Sequence, residues 1–236
     1  MTHKNILILL ILFLIFNLFI SCTDPVGPGV PGIPFVSLTV GDERQFMFNT
    51  DSSTILYKVK YEVLRSDGLQ VFVYEWLYGE DSIPRLDYYA LKDGFFIATE
   101  LDTVRGTISY LPDNPFREQR IAKLYPQEGE VWQSIIGDST SLFFTAKNIG
   151  VQKTPAGLFN NCYGFVLDNA LSVNYAKGIG HVSSIFLSDN TGYVSTYIKV
   201  KSTTYGTKVP PKSPFIRGKN TDTNSINLFS LLLGKR

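Results

Sequence analysis

Apolar and polar residues alternate in short runs along most of the chain after residue 54. In the clearest run, 55–64, aromatic or branched residues stand at positions 57, 59, 61 and 63, and charged residues stand at 58, 60 and 62. A period of two places the first set on one face of a strand and the second set on the other. Ser66-Asp67-Gly68 then predicts a hairpin turn, because Asp-Gly supplies the positive φ that tight turns require. We therefore expect 55–64 to pair with the next run, 69–76.

Similar runs predict further strands through the rest of the body. They lie near 86–91, 94–100, 103–110, 119–125, 141–146, 158–168, 180–188 and 192–201. Turn sequences such as Lys92-Asp93-Gly94 and Asp189-Asn190-Thr191-Gly192 separate several of them. No long segment has a 3.6-residue period, and only 168–177 carries a weak helical pattern. The sequence therefore predicts an all-β fold.

Two short sequences recur in the same order. Val40–Phe46 is echoed by Glu128–Trp132, and Tyr88–Gly94 is echoed by Asn174–Gly180 at nearly the same separation. This spacing favours two related β-meanders within 35–205, at 35–115 and 116–205, and chance similarity among glycine- and aromatic-rich strands is the alternative. Two such meanders would form either one curved antiparallel sheet or a β-sandwich, since each needs a partner for its apolar face.

The first residues have the organisation of an export signal. Lys4 precedes an apolar run, 6–20, and a small residue, Ser21, precedes Cys22. A helix of that length would span roughly 22 Å, which is less than the roughly 30 Å of a bilayer's hydrocarbon core. A transmembrane anchor is therefore disfavoured. An ordinary secretory signal remains an alternative, although no small-x-small cleavage site follows the apolar run.

The run that ends in Cys22 resembles the lipobox of bacterial lipoproteins, with a phenylalanine at position 19 in place of the usual leucine. The resemblance implies that 1–21 is a lipoprotein signal peptide and that Cys22 is the site of lipid attachment. The membrane would then be a partner of the protein through an acyl anchor at Cys22. Two or more acyl chains suffice for stable anchoring, whereas a single chain binds only reversibly. We expect the protein in the cell envelope, on the outer membrane.

Segments of different composition flank the β-rich body. Residues 22–34 form a predicted tether, because prolines at 25, 28, 31 and 34 favour an extended, polyproline-like chain and the glycines loosen it. Residues 206–236 form a predicted polar tail that ends in a short apolar stretch, 226–233. This stretch could dock on the body as a strand or short helix, and it is much too short to span a bilayer as a helix.

The composition is that of a packed globular protein. Hydrophobic residues make up 44% of the sequence and charged residues 18%, far from the regime of disordered chains. The formal net charge of +1 gives no electrostatic basis for binding nucleic acid. If Cys22 is acylated, Cys162 has no partner for an intramolecular disulfide, so stability must come from packing.

Two motifs in the second half carry a family resemblance. The run 154–163, which contains Thr-Pro-Ala-Gly-Leu-Phe, and the run 175–182, Tyr-Ala-Lys-Gly-Ile-Gly-His-Val, resemble a recurring pattern in uncharacterised β-rich envelope lipoproteins of the TapB or DUF3108-like group. The resemblance implies a curved antiparallel sheet related to lipoprotein-carrier folds, and it implies no activity. His181 departs from the pattern, in which leucine is more common at that place.

The sequence offers few candidates for a metal or cofactor site. His181 is the only histidine after the signal segment, so a metal site with two or three histidines is excluded. The chain has no calcium loop of alternating acids and no glycine loop with the spacing of a phosphate cradle. We therefore predict neither a metal nor a cofactor.

Candidate catalytic residues are equally sparse. Cys162 and His181 could form a nucleophile and a base, but a buried strand cysteine and a strand-edge histidine explain them better, since no orienting or oxyanion motif accompanies them. Ser183 and Ser184 lack the G-x-S-x-G pattern. The acid pairs Asp42-Glu43 and Glu128-Glu130 are interpreted as solvated starts of strands. We predict no catalytic residue.

Three functions are compatible with the sequence. The first is a non-enzymatic, membrane-anchored module that binds an unknown protein or apolar ligand. The second is a carrier of lipid or another hydrophobic ligand in a cavity of the sheet, for which aromatic side chains facing a cavity would be the distinguishing feature. The third is a hydrolase with an unrecognised carboxylate site, which requires acids that converge in a cleft.

Overall fold

The described part of the computed structural model covers residues 32–101, 118–136 and 140–213. Regular structure in these residues consists of strands, and no helix among them is both long and apolar enough to cross a membrane. Cys22, most of the tether, the strand predicted at 103–110 and the tail after residue 213 lie outside the described residues. The predicted all-β fold is confirmed.

Thirteen strands within the described residues join into one antiparallel sheet. They are β1 (Glu43–Phe48), β2 (Thr54–Leu64), β3 (Gln70–Tyr78), β4 (Arg85–Lys92), β5 (Phe95–Ala98), β6 (Gln119–Lys123), β7 (Val131–Ile136), β8 (Thr140–Thr154), β9 (Gly157–Leu167), β10 (Leu171–Ala176), β11 (Gly180–Phe186), β12 (Gly192–Val200) and β13 (Thr203–Gly206).

The topology consists of two consecutive meanders that share one sheet. Strands β1 to β6 follow one another as neighbours, strands β7 to β12 do the same, and β1 pairs with β12. The edge strands β6 and β7 are adjacent in the chain, and Lys123 at the end of β6 forms an ion pair with Glu130 just before β7. The sheet is therefore a strongly curved one whose ends approach each other, which decides against the β-sandwich.

The two echoed sequences occupy equivalent places in the two meanders. Gly41 and Gly129, with φ of 92° and 75°, each precede the first strand of a meander. The second echo falls on the hairpin between the fourth and fifth strands in both cases, β4–β5 and β10–β11. β6 pairs with β5 and so continues the first meander, and the halves 35–115 and 116–205 stay a prediction. The duplication itself stays a prediction.

Two local expectations were wrong. The weak helical pattern at 168–177 is strand β10, which pairs with β9 and β11. All six of its residues are buried, so the alternation that identifies a half-exposed strand is missing. Strand β2 contains a bulge at Lys60. Val59 pairs with Tyr74 and Tyr61 with the neighbouring Val73, so Lys60 has no register partner in β3. The bulge interrupts the predicted alternation, and Tyr61 is 43% exposed.

Buried apolar side chains form a large core and a smaller one. The large core draws on both meanders and is rich in aromatic rings, including Phe46, Tyr57, Trp132 and Phe165. The smaller core consists of Ala156, Phe159, Cys162, Ala176, Val182, Ile198 and Val200. Burial of a large apolar side chain contributes about 1.5–3 kcal/mol relative to an exposed one. The aromatic interior is thus the main source of stability.

The first residues of the predicted tail are bound to the body. The Val209 N–H donates to Gln45 Oε1 at 2.7 Å, and Gln45 Nε2 donates to the Val209 carbonyl at 2.8 Å. The Thr54 N–H donates to the Lys212 carbonyl at 2.9 Å. The segment 207–213 therefore runs against β1 and the start of β2.

Candidate ligand-binding cavity

A cavity of about 40 Å³ lies within the large core. Six buried aromatic side chains line it, together with one cation and one imidazole: Phe46, Tyr57, Tyr74, Tyr89, Phe96, Tyr175, Arg44 and His181. Val36, from the segment before β1, also lines the cavity. The first meander supplies most of the wall, and β10 and β11 of the second meander complete it.

Strand geometry explains why these side chains meet. Arg44 and Phe46 are two residues apart on β1 and therefore share a face. Arg44 lies opposite Tyr57 of β2 in register, and Tyr57 lies opposite Trp76 of β3. Tyr175 of β10 lies opposite His181 of β11. Tyrosines on inward positions thus bring their hydroxyl groups into an otherwise apolar interior.

Arg44 is the charged group of the cavity, and only 5% of it is exposed. Its Nη2 donates to the Ile179 carbonyl at 2.7 Å, and the Tyr74 side chain lies beside the same guanidinium in the cavity wall. Its Nε is buried and has no hydrogen-bond partner. The guanidinium forms no ion pair with any carboxylate of the described residues. A buried cation without a carboxylate partner is unusual, because desolvation of a charge is costly.

Gly180 makes room for this guanidinium. A Cβ at position 180 would lie 3.0 Å from Arg44 Nη2, which is closer than ordinary van der Waals contact. The φ of Gly180 is +95°, in the left-handed region that favours glycine. The glycine that follows Ile179 therefore allows the chain to present the Ile179 carbonyl to Arg44.

His181 packs beside Arg44 in the cavity wall. Its ring stacks on Phe46 with centroids 4.5 Å apart, and its Nε2 forms a 2.8 Å hydrogen bond with Ser184 Oγ. A bulge in β11 makes this bond possible. Tyr175 pairs with His181 and Asn174 with Ser183, so the extra residue between them brings His181 and Ser184 to the same side.

The environment of His181 keeps its imidazole neutral. Burial and the Arg44 charge lower its pKa from 6.5 to about 3, and a hydrogen bond with the Ser183 backbone opposes the shift. Neutral imidazole adds no positive charge to the cavity near pH 7. Arg44 is therefore the cation of this wall.

The tyrosines of the wall stay protonated. Burial raises the pKa of Tyr74 to about 12, although Arg44 acts in the opposite direction. Burial and the nearby Asp87 raise the pKa of both Tyr57 and Tyr89 well above the usual value. The hydroxyl groups can therefore act as hydrogen-bond donors, and they carry no charge.

The acid pairs of the sequence do not converge on the cavity. Asp42, expected to be solvated, is only 1% exposed, and its Oδ1 accepts a hydrogen bond from the Lys201 N–H at 2.8 Å. Glu43 forms an ion pair with Lys208 at 2.7 Å. The second pair is likewise engaged, since Glu128 accepts from the Asn148 N–H and Glu130 pairs with Lys123. These acids hold neighbouring segments together.

The side chains of Cys162 and His181 do not form the candidate pair of nucleophile and base. The Cys162 thiol donates to the Phe159 carbonyl at 3.3 Å within the smaller core, and burial raises its pKa. It forms no hydrogen bond with His181. Ser183 accepts from Asn174 Nδ2 at 2.9 Å. Among the described residues no group of three or more metal-ligating side chains could hold a metal ion.

A second, more polar cavity of about 290 Å³ lies between β6 and β7. Lys92, Glu118 and Arg120 contribute to its wall. Glu118 is bound by Lys92 at 2.7 Å and by Arg65 at 2.8 Å, so its charge is balanced within the fold. Arg120 lies over the Phe95 ring, 4.8 Å from its centroid. This cavity is larger, and Ser134 Oγ in its wall is buried without a hydrogen-bond partner, but none of its charged side chains is fully buried.

Sequence reasoning did not single out Arg44 or the tyrosines around it. The available signal was an arginine two residues before Phe46, at the inward position of a strand that starts after a Gly-Asp pair. A charged residue in phase with buried aromatic residues is a candidate for a functional role.

Comparison with known proteins leaves the family open. No family model matches the chain, so the resemblance to the TapB or DUF3108-like group stays a prediction. No curated protein matches either. Among solved structures, a 2.70 Å crystal structure of a "putative lipoprotein" from Parabacteroides distasonis ATCC 8503 aligns with 72% of this chain and 100% of that one, with 14% identity and a TM-score of 0.43. A likeness of this degree does not indicate a function, which has to be inferred from the geometry of the cavity.

Proposed function

We propose that the protein is a membrane-anchored, non-enzymatic binding protein of the bacterial cell envelope, with a ligand site in the Arg44 cavity. The sequence motif that ends in Cys22 supports the anchor, and the proline-rich 22–34 segment supports a tether that holds the body away from the membrane. We propose the outer membrane as its location.

The observation that carries the binding role is the environment of Arg44. Its guanidinium is buried among aromatic rings, it lacks a carboxylate partner among the described residues, and its Nε–H is unused. Small-molecule sites typically combine apolar and aromatic walls with a few well-placed polar groups. The cavity has this composition.

The hydrolase alternative has one supporting contact, the hydrogen bond between His181 and Ser184. A general base works best with a pKa near the working pH, whereas the pKa of His181 is lowered to about 3. The acid pairs of the sequence are not aimed at this contact, since Asp42 Oδ1 accepts from the Lys201 N–H and Glu130 pairs with Lys123. We therefore prefer a binding role to catalysis.

The carrier alternative has the aromatic lining in its favour. Six aromatic side chains face the cavity, which is the feature expected of a carrier. The volume of about 40 Å³ argues against a lipid, since pockets for drug-sized ligands measure roughly 300–1,000 Å³. An acyl chain would require the core to open. The proposed ligand is therefore small.

Mass spectrometry of the full-length protein purified from its native membrane tests this function. We expect an N-terminal peptide that begins at acylated Cys22, and a Cys22→Ala variant should leave the membrane fraction. A small molecule released on denaturation would support the binding role, and a co-purified lipid would favour the carrier. An unmodified N-terminus at another residue would refute the anchor.

A further inference from the structure

We infer that the Arg44 cavity binds the carboxylate group of a small organic monoacid. The inference rests on the proposed binding role and adds the chemical class of the ligand. It starts from the guanidinium, whose Nε–H lies in the protein interior without an acceptor. One Nη2 hydrogen bond goes to the Ile179 carbonyl, and this bond fixes the orientation of the planar group.

The charge of the cavity selects an anion. Asp42 and Asp87 are the buried aspartates of the described residues, and neither forms an ion pair with Arg44. Asp42 Oδ1 accepts from the Lys201 N–H at 2.8 Å, and Asp87 Oδ2 accepts from the Tyr89 hydroxyl at 3.5 Å. A single negative charge beside Arg44 would offset the desolvation of the guanidinium, whereas a dianion would leave an excess charge.

The shape of the cavity selects a carboxylate. A planar guanidinium matches the two oxygens of a carboxylate better than a spherical ion, because parallel N–H groups can each meet one oxygen. The volume of about 40 Å³ holds roughly three water-sized groups, at about 10–15 Å³ for each. A carboxylate with a short substituent matches this space.

The remaining wall suits the substituent. The rings of Phe46 and Phe96 are apolar, and the Tyr74 hydroxyl beside Arg44 can donate to a carboxylate oxygen. His181 is neutral and stacked on Phe46, so it contributes surface and no competing charge. An acid with a methyl-sized group would therefore meet polar donors at one end and aromatic faces at the other.

The arginine Nε–H resonance of the ¹⁵N-labelled, full-length protein in detergent provides a direct test. The Arg44 signal is assigned by its disappearance in Arg44→Lys. Titration with sodium acetate should shift it saturably, while equal concentrations of sodium chloride or sodium sulfate should not. A shift with all three salts would mean general anion screening, and no shift with any of them would mean that water alone occupies the cavity. Either result would overturn the inference.

Variants of Arg44 and Tyr74 distinguish the role of the planar guanidinium from the role of its positive charge. Arg44→Lys keeps the cation but loses the planar guanidinium, so acetate binding measured by isothermal titration calorimetry should weaken by about tenfold or more. Lys58→Met, an exposed lysine opposite Glu43 in the same strand pair, is the matched control and should bind acetate as the native protein does. If Arg44→Lys fails to fold, Tyr74→Phe should still weaken acetate binding, and unchanged binding would contradict the assigned pose. If acetate does not bind and a molecule of another chemical class co-purifies with the protein, this inference is refuted. The proposed binding role would still stand.

Discussion

The rings of Phe95 and Trp132 lie with their centroids 6.0 Å apart, which joins β5 of the first meander to β7 of the second. Strand β7 is one edge of the hydrogen-bonded sheet, and β5 lies next to the other edge, β6. Side-chain packing therefore brings together the two ends that are not joined by backbone pairing. The Trp132 ring also stacks on Phe144 and meets Phe165 edge-on, with centroid distances of 5.5 and 5.3 Å. Trp132 therefore connects the contact with Phe95 to the aromatic core of the second meander.

Replacement of Trp132 by alanine should destabilise the protein by about 3–5 kcal/mol, as is typical of buried large aromatic residues. The side chain is only 5% exposed, and its loss would leave a void between the two ends of the sheet. Urea denaturation followed by far-UV circular dichroism measures the change. Tyr125→Ala, at a 47% exposed site between β6 and β7, is the control and should cost much less. If the two variants lose the same free energy of unfolding, Trp132 does not hold the two ends of the sheet together.

Arg65 connects parts of the first meander by charge. Its side chain is fully buried, and Nε and Nη2 donate to the two Asp67 oxygens at 2.9 and 2.7 Å. Nη1 donates to Thr99 Oγ1 at 2.6 Å, and Nη2 also contacts Glu118 at 2.8 Å. One guanidinium thus ties the β2–β3 hairpin to the residues after β5 and before β6.

Arg65→Met should cost about 1.5–3 kcal/mol, because it removes several charge-assisted hydrogen bonds of a buried guanidinium, while Asp67 stays partly exposed and Glu118 keeps Lys92. Lys92→Met is the matched control, since Lys92 binds the same Glu118 but is 38% exposed, and exposed pairs contribute about 0–1 kcal/mol. Guanidinium chloride would screen the ion pairs, so urea is the denaturant for this comparison. A smaller loss for Arg65→Met than for Lys92→Met would contradict the assignment.

The fold was largely predictable because strand and turn signals are local. The hairpin at Ser66-Asp67-Gly68 joins β2 and β3 as expected, since Gly68 has a φ of +86°. Strand β10 was missed because both of its faces are buried, which removes the period-two pattern. The bulge at Lys60 could not be foreseen, because an extra residue in a strand depends on its partner.

The candidate site was not predictable for a different reason. The cavity collects residues from β1, β2, β3, β4, β5, β10 and β11, which only the curvature of the sheet brings together. Sequence reasoning noticed His181 as an isolated histidine, but its stacking on Phe46 is a contact between distant strands. Arg44 was not predicted as a site residue, because a charged residue in a strand usually faces solvent.

The docked segment 207–213 can be tested through a glycine. Gly79 has a φ of +53°, and a Cβ there would lie 2.6 Å from Ser213 Cα. Gly79→Ala should therefore displace the segment and raise hydrogen exchange in the peptide that contains Val209. Gly68→Ala is the matched control, because its φ is +86° but nothing lies within 4 Å of the added methyl. Both variants carry backbone strain of about 1–2 kcal/mol, so only release of 207–213 distinguishes them.

The lowered pKa of the half-buried His181 gives the protein a defined pH dependence. The folded-state pKa of about 3 lies below the unfolded value of about 6.5, so the unfolded chain takes up a proton that the folded chain excludes. Stability should therefore fall as the pH drops from about 6.5 towards 3, by at most about 1.4 kcal/mol per pH unit. The pKa of Asp67 is lowered from 3.8 to about 2 beside Arg65, so its contribution to stability is lost progressively below about pH 5.

Comparison with His181→Gln between about pH 5 and 6.5 isolates His181, because both proteins have the same carboxylates and His3 belongs to the predicted signal peptide. Urea unfolding of the native protein and of His181→Gln at several pH values in this window measures the effect. Glutamine can keep the contact with Ser184 but does not titrate. The stability advantage of the native protein should shrink as the pH falls, since only the native chain gains a proton on unfolding. Parallel curves would mean that the imidazole titrates alike in both states, and that it is not desolvated beside Arg44.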